Sequence, residues 1–260
     1  MQASHPAAMG RTVLVTGGSK RIGREICLRL ALDGFAVAVH HRNSEPESLE
    51  VVEEILSIGS DAFSVRCDLS ETGAASRLIG QCQDELGPIT DLVNNASIFE
   101  YDDIFSVTEG SWDSHMAINA RAQTMLIRAL AEGMPDGESG SVVNIIDQKI
   151  ASPNPDYLSY TASRFAMLGM TETLARALSP KVRVNAVAPG HTLASPEQTD
   201  SGFAKAQAET PLGYGPEPGD VAEAASFLLN SKAVTGQVIF VDCGERFLNR
   251  GRDVVFETEG

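Results

Sequence analysis

The chain is poor in aromatic residues, which make up 6% of it, and it has one tryptophan and four cysteines in 260 residues. So few cysteines exclude a disulfide-dense secreted scaffold. Cys27, Cys67, Cys82 and Cys243 show no metal-ligand spacing, and each lies in or beside an apolar run where cysteine acts as a small hydrophobe. A reducing, cytoplasmic setting fits this usage. No stretch of about 18 uncharged apolar residues occurs, so no membrane-spanning helix is expected. Basic side chains are scarce too: 20 Lys and Arg stand against 35 Asp and Glu, a formal charge of -15. Such a surface repels polyanions, which disfavours extended contact with nucleic acid or an anionic membrane. His5, His115 and His191 have no acids or cysteines at ligand spacing, so no metal site is expected.

What is present is a regular alternation. Short runs rich in Val and Ile alternate with longer segments of helical period, the pattern of successive βαβ units around a parallel sheet buried on both faces. Seven runs stand out: Thr12 to Thr16, Phe35 to His40, Asp61 to Arg66, Ile89 to Asn94, Ser141 to Ile146, Val182 to Val187 and Gln237 to Val241. Right-handed crossovers wind them into one doubly wound α/β domain over residues 11–248, with ligands at the carboxyl ends of the strands. Residues 1–10 read as a flexible tail and 249–260 as a charged tail. From Ala194 to Asp220 the rhythm breaks into a stretch rich in Pro, Gly, Thr and Gln, with weak helical period only around Phe203 to Glu209. Long irregular insertions in compact domains commonly cover sites, so this one is expected to be a substrate loop.

The first strand ends in Thr16-Gly17-Gly18-Ser19-Lys20-Arg21-Ile22-Gly23 and runs into an amphipathic helix. Glycines there let backbone amides approach a pyrophosphate, and the helix N-terminus adds unpaired N–H groups. The second strand ends in His40-His41-Arg42-Asn43-Ser44, without the carboxylate that would bind free ribose hydroxyls. Arg42, with Lys20 or Arg21 opposite, suits a 2′-phosphate, which points to NADPH over NADH. Arg42 alone is also an ordinary surface charge. After the third strand, the Asp68 carboxylate in Cys67-Asp68-Leu69 can accept from an adenine amino group or cap a helix. After the fourth, Asn95-Ala96-Ser97 allows close approach to a cofactor or makes a plain turn.

The chemistry is expected further on. Asp147 closes the fifth strand, Tyr160 lies near the start of a long helix, and Arg164 is one turn beyond it. An i, i+4 pair shares a helix face, so the cation can lie beside the phenol, favour phenolate and lower the tyrosine pKa. The residue one turn after Tyr157 is Thr161, not a basic one, so Tyr157 is assigned to the pocket wall or surface, Lys149 to a solvated loop and Trp112 to the core.

Together, Gly17 to Gly23, Asn94-Asn95-Ala96, Asn119, Asp147, Tyr160 and Pro189-Gly190 resemble the short-chain dehydrogenase/reductase family in order and spacing, over about Arg11 to Val241. The resemblance implies a Rossmann-like domain, hydride transfer and a homotetramer or homodimer, with the long helices around Ser111 to Glu132 and Tyr157 to Leu178 as the interface. It implies that Asn119 braces the helix geometry and a bound water, and that Pro189, Gly190 and Thr192 meet the nicotinamide end. Asp147 stands where most members have serine. In this, in Arg21, in His41-Arg42 and in an aromatic at Phe99, the chain resembles the pteridine reductase branch, where the aromatic and the nicotinamide sandwich the pterin ring. Phe99 can equally be a hydrophobic lining residue. The family lysine one turn after the tyrosine is Arg164 here, which keeps the charge but not a releasable proton.

These features predict an NADPH-dependent reductase of a small heterocycle, a dihydropterin or dihydrofolate. Two alternatives stand beside it: a carbonyl reductase or alcohol dehydrogenase on another small molecule, and an NADPH-binding protein without turnover because of Arg164.

Overall fold

The computed structural model of the protein describes residues 10–195 and 198–258. Its centre is a seven-stranded parallel sheet in the order β3-β2-β1-β4-β5-β6-β7. The strands are β1 (Thr12–Val15), β2 (Ala36–His41), β3 (Ala62–Arg66), β4 (Asp91–Asn94), β5 (Gly140–Ile145), β6 (Val182–Pro189) and β7 (Val238–Val241). Each expected apolar run contributes one strand, with ends shifted by at most two residues.

Side chains alternate across a strand, so one run feeds two cores. Val13 and Val15 of β1 face a cluster with Ile26, Leu30, Ile55 and Leu228. Leu14 faces the opposite cluster, with Leu78, Leu92, Leu126 and Leu130. The first face is covered by α1 (Arg21–Leu32), α2 (Glu45–Ile58) and α8 (Pro218–Asn230); α3 (Ala74–Leu86), α5 (Gln123–Gly133) and α6 (Leu158–Leu178) cover the second. Helix α2 shows local sequence chemistry setting an element's ends. It begins with Pro46 and the acids Glu45 and Glu47 in its first turn, and stops at Gly59, whose φ of 94° allows its N–H to cap Ile55 O. Strand order reverses between β1 and β4, and ligand crevices form at such a point.

The helix expected around Ser111 to Glu132 is divided. Helix α4 (Glu109–Met116) passes into a wider π-helical turn, Ala117–Ala122, before α5. Wide turns of this kind recur near functional sites, and this one carries Asn119. The substrate loop contains α7 (Asp200–Ala208), close to the weak period seen in sequence. The expected tail beyond 248 is folded over residues 249–258: α9 (Val254–Thr258) buries Val254 and Val255 against the body of the protein. The flexible tail expected over residues 1–10 lies outside the described residues except for Gly10, and so does His5.

Two further expectations are corrected. Trp112 is 42% exposed, because its face of α4 turns to solvent. Lys149 is buried, because Asp253 from the folded end of the chain neutralises it across 2.8 Å.

Candidate active site

A groove of about 430 Å³ opens at the carboxyl ends of β1, β2, β3 and β4, a volume suited to a small-molecule ligand. Of the residues expected to hold a dinucleotide it takes Gly17 and Ser19 to Gly23, then His41 to Asn43, Asp68, Leu69 and Asn95 to Ser97. Tyr160, Arg164, Pro189, Gly190 and Thr192 are not among its walls. Arg164 nevertheless reaches the rim, donating to Ser97 Oγ.

The groove floor needs glycine in two ways. Gly17 has φ +63°, and a Cβ on Gly23 would lie 2.1 Å from the carbonyl oxygen of Gly17. Arg21 also adopts left-handed backbone, φ 54°, which is uncommon for a side chain of its size, and its guanidinium lies 3.4 Å from Ala194 O on the substrate loop. Asn95 Nδ2 donates to both Thr16 O and Gly17 O at 3.0 Å, tying the loop to β4.

Two basic candidates differ in availability. Lys20 is committed to Glu47 at 2.6 Å. Arg42 is exposed, and no carboxylate or carbonyl among the described residues holds its guanidinium. Asp68 lies at the groove wall, where the Ser70 side chain, then its N–H at 2.9 Å, and the nearby charge of Arg42 hold the carboxyl pKa low.

Sequence reasoning missed His40. Its Nδ1 accepts from Gly17 N–H at 3.0 Å, so its Nε2 carries the proton that bonds Cys67 O, also at 3.0 Å. The ring joins the glycine loop to the end of β3, and burial lowers its pKa to about 4. A histidine inside a Val-rich strand carries no sequence signal for this role.

Around Tyr160 the structure gathers four expected residues. The Tyr160 hydroxyl donates to Asp147 Oδ2 at 2.7 Å, and Lys149 N–H donates to Asp147 Oδ1 at 2.8 Å. The Arg164 guanidinium lies over the Tyr160 ring, 4.6 Å from its centre. Phe99, 41% exposed, stands edge-on to Tyr160 with centroids 4.7 Å apart. Asn119 Oδ1 accepts from Ile98 N–H at 2.9 Å while its Nδ2 donates to Ile98 O and Ser163 Oγ, fixing the backbone next to Phe99.

The expected lowering of the Tyr160 pKa is corrected. Burial raises it, and the opposing pull of Arg164 is offset by Asp147. Burial likewise lifts the Asp147 carboxyl above the usual carboxylate range. The arrangement therefore holds a neutral phenol, able to give a proton to a reduced atom.

Tyr157 is buried, not a surface residue, and stacks on Phe99 with ring centroids 4.0 Å apart. Two acids were missed. Asp102 accepts from Ser159 N at 2.9 Å and caps the helix that carries Tyr160. Glu245, pushed up to about 7 by burial, accepts from His191 N–H at 2.7 Å and so holds the loop after Gly190. Both act across long sequence separations that spacing cannot reveal.

A doubly wound sheet, a glycine-floored groove at its switch point and a buried tyrosine beside it define a dinucleotide-dependent oxidoreductase class. Residues 11–202 match the short chain dehydrogenase family, and the chain belongs to it. It is 32% identical over 241 residues to the 3-oxoacyl-[acyl-carrier-protein] reductase FabG of Staphylococcus epidermidis, covering 91% of this chain and 99% of that one. Among solved structures it resembles FolM alternative dihydrofolate reductase 1 from Brucella suis in complex with NADP, with TM-score 0.88, 38% identity and coverage of 91% and 95%. It also resembles the angucycline C-6 ketoreductase LanV with bound NADP, with TM-score 0.83, 29% identity and coverage of 92% and 96%.

Proposed function

We propose that the protein is an NADPH-dependent reductase of a flat heterocycle, a dihydropterin or dihydrofolate. The observation that carries this reading is the exposed ring of Phe99 set edge-on beside a tyrosine hydroxyl bonded to aspartate. Arg42, which has no ion pair among the described residues, and the His41-Arg42-Asn43 end of β2, which has no carboxylate, fit the 2′-phosphate, and the similarity to NADP-bound reductases supports the same cofactor. When bound, NADPH supplies the hydride. Arg42 and the glycine loop hold the dinucleotide, Phe99 stacks the substrate ring, and Tyr160 gives its proton to the atom beside the reduced carbon. Asp147 keeps that hydroxyl aimed, and Arg164 stabilises the charge left on the phenol.

The test is NADPH oxidation with dihydropterin, dihydrofolate, quinone and ketone substrates, with Tyr160→Phe alongside. Turnover of a pterin substrate that Tyr160→Phe abolishes is expected; unchanged turnover in that variant defeats the assignment. A second reading, reduction of a ketone, is favoured by the ketoreductase and 3-oxoacyl reductase relatives, and a ketone-only profile selects it. The exposed Trp112, Met125 and Phe165 on α4, α5 and α6 support assembly into a homodimer or homotetramer, which sedimentation measures.

A further inference from the structure

We propose that the folded end of the chain, Arg250 to Thr258, is a working part of the substrate site, positioning both Phe99 and Asp147. The inference rests on Phe99 being the wall against which the substrate ring stacks.

Two separate lines of contact lead from this segment to the site. The first is aromatic. Phe256 of α9 packs near-parallel to Tyr157, at 23° and 6.3 Å, and Tyr157 stacks on Phe99 at 18° and 4.0 Å. Tyr101 meets both Phe256 and Tyr157 edge-on at 5.4 Å, closing the side of the stack. Offset and edge-on rings resist tilting because each displacement loses contact area and quadrupole alignment. Phe99 is thus backed through Tyr157 by a ring from the far end of the sequence.

The second line is ionic. Lys149 Nζ pairs with Asp253 at 2.8 Å in a buried setting, and the same residue's backbone N–H donates to Asp147 Oδ1 at 2.8 Å. Asp156 secures the segment from the other side. Its carboxylate accepts from Arg252 Nε, which is shared between Oδ2 at 2.7 Å and Oδ1 at 3.0 Å, from Arg252 Nη2 at 2.8 Å, and from Asp253 N–H at 2.7 Å. The segment is also bound to the substrate loop, through Arg250 to Glu209 at 3.0 Å and Gln198 to Thr258 at 3.3 Å. It therefore bridges the loop, the wall behind Phe99 and the turn that aims Asp147, while none of its residues lines the dinucleotide groove.

A brace of this kind separates substrate from cofactor. Phe256 is 44% exposed, so its truncation leaves the core intact. Phe256→Ala is expected to raise the KM for dihydropterin roughly 3- to 10-fold, the range of one aromatic pair. The Kd for NADPH, read from its fluorescence, stays within about twofold, and Phe256→Tyr restores the KM. Asp253→Asn removes the ion pair of Lys149 Nζ, leaving it hydrogen-bonded to Asn154 Oδ1 and Asp156 O and facing the Asp147 and Asp156 carboxylates; it is expected to lower kcat and shift the pH profile of turnover, with NADPH affinity retained. An unchanged KM in Phe256→Ala, or a loss of NADPH affinity equal to the rise in KM, overturns the proposal while leaving the reductase reading in place. Wild-type protein that turns over no dihydropterin defeats that reading, and the brace falls with it.

Discussion

Tyr160 donates its hydroxyl to Asp147 across 2.7 Å in a site where burial raises the pKa of both groups. The buried carboxyl favours its protonated form, so the native state loses stability as pH rises above the unfolded aspartate value and bears the full cost above the native one. Asp147→Asn keeps the acceptor without the charge. It is expected to raise Tm at pH 7.5, by about 2–4 °C per kcal/mol recovered, while turnover falls. Thermal melts at pH 5 and pH 7.5 check this, since the gain should shrink at the lower pH.

His40 gives the opposite dependence. Its native pKa of about 4 lies below the unfolded value, so from pH 6.5 downwards the unfolded chain takes up a proton that the folded one refuses. That linkage removes about 2 kcal/mol of stability by pH 5 and is absent above pH 7. Urea unfolding of wild type and His40→Gln at pH 7.5 and 5 should show a steeper loss in the wild type. His40→Gln should also weaken NADPH, because the Gly17 N–H loses a fixed partner.

Arg42 and Lys20 make a paired test. Arg42→Ala should weaken NADPH by roughly 10- to 100-fold, as expected for charge-assisted bonds, and leave NADH unaffected. Lys20→Ala should change NADPH affinity much less, since Glu47 already neutralises that ammonium. Equal effects at the two positions would contradict the assignment of Arg42 as the 2′-phosphate ligand.

Arg164 carries its charge over the Tyr160 ring and bonds Ser97 at the groove rim. Arg164→Met should lower kcat at least tenfold, since proton donation leaves negative charge on the phenol that the cation stabilises. Arg164→Lys, which keeps the charge, should retain turnover. Single-turnover kinetics at saturating NADPH separate this from any loss of cofactor affinity.

The sheet was readable because the Val- and Ile-rich runs of its five central strands are buried on both faces, and those of the edge strands β3 and β7 are half-buried, leaving a period that sequence preserves. The placement of the glycine loop, Arg42, Asp147, Tyr160 and Arg164 was readable because each is fixed by residue type at or near a strand or helix end. Asp102, His40, Lys149 and Glu245 were not. Each works through a partner far away in sequence, as in the hydrogen bond of Ser159 N to Asp102 and the ion pair of Lys149 with Asp253. The charged end of the chain looked like a tail for the same reason. Its charges are matched by Asp156, Lys149 and Glu209, which nothing local to it reveals.

By itself, then, the sequence determined the alternation of strand and helix, the glycine turn after β1 and the helix face shared by Tyr160 and Arg164, since all of these follow from local period and backbone freedom. The tertiary structure decided that burial raises the Tyr160 pKa against the pull of Arg164, that Lys20 is ion-paired with Glu47 while Arg42 has no ion pair among the described residues, and that Phe256 backs Phe99 through Tyr157. Desolvation, ion pairing and ring packing depend on which distant residues share a few ångströms of space, and only the folded chain sets that.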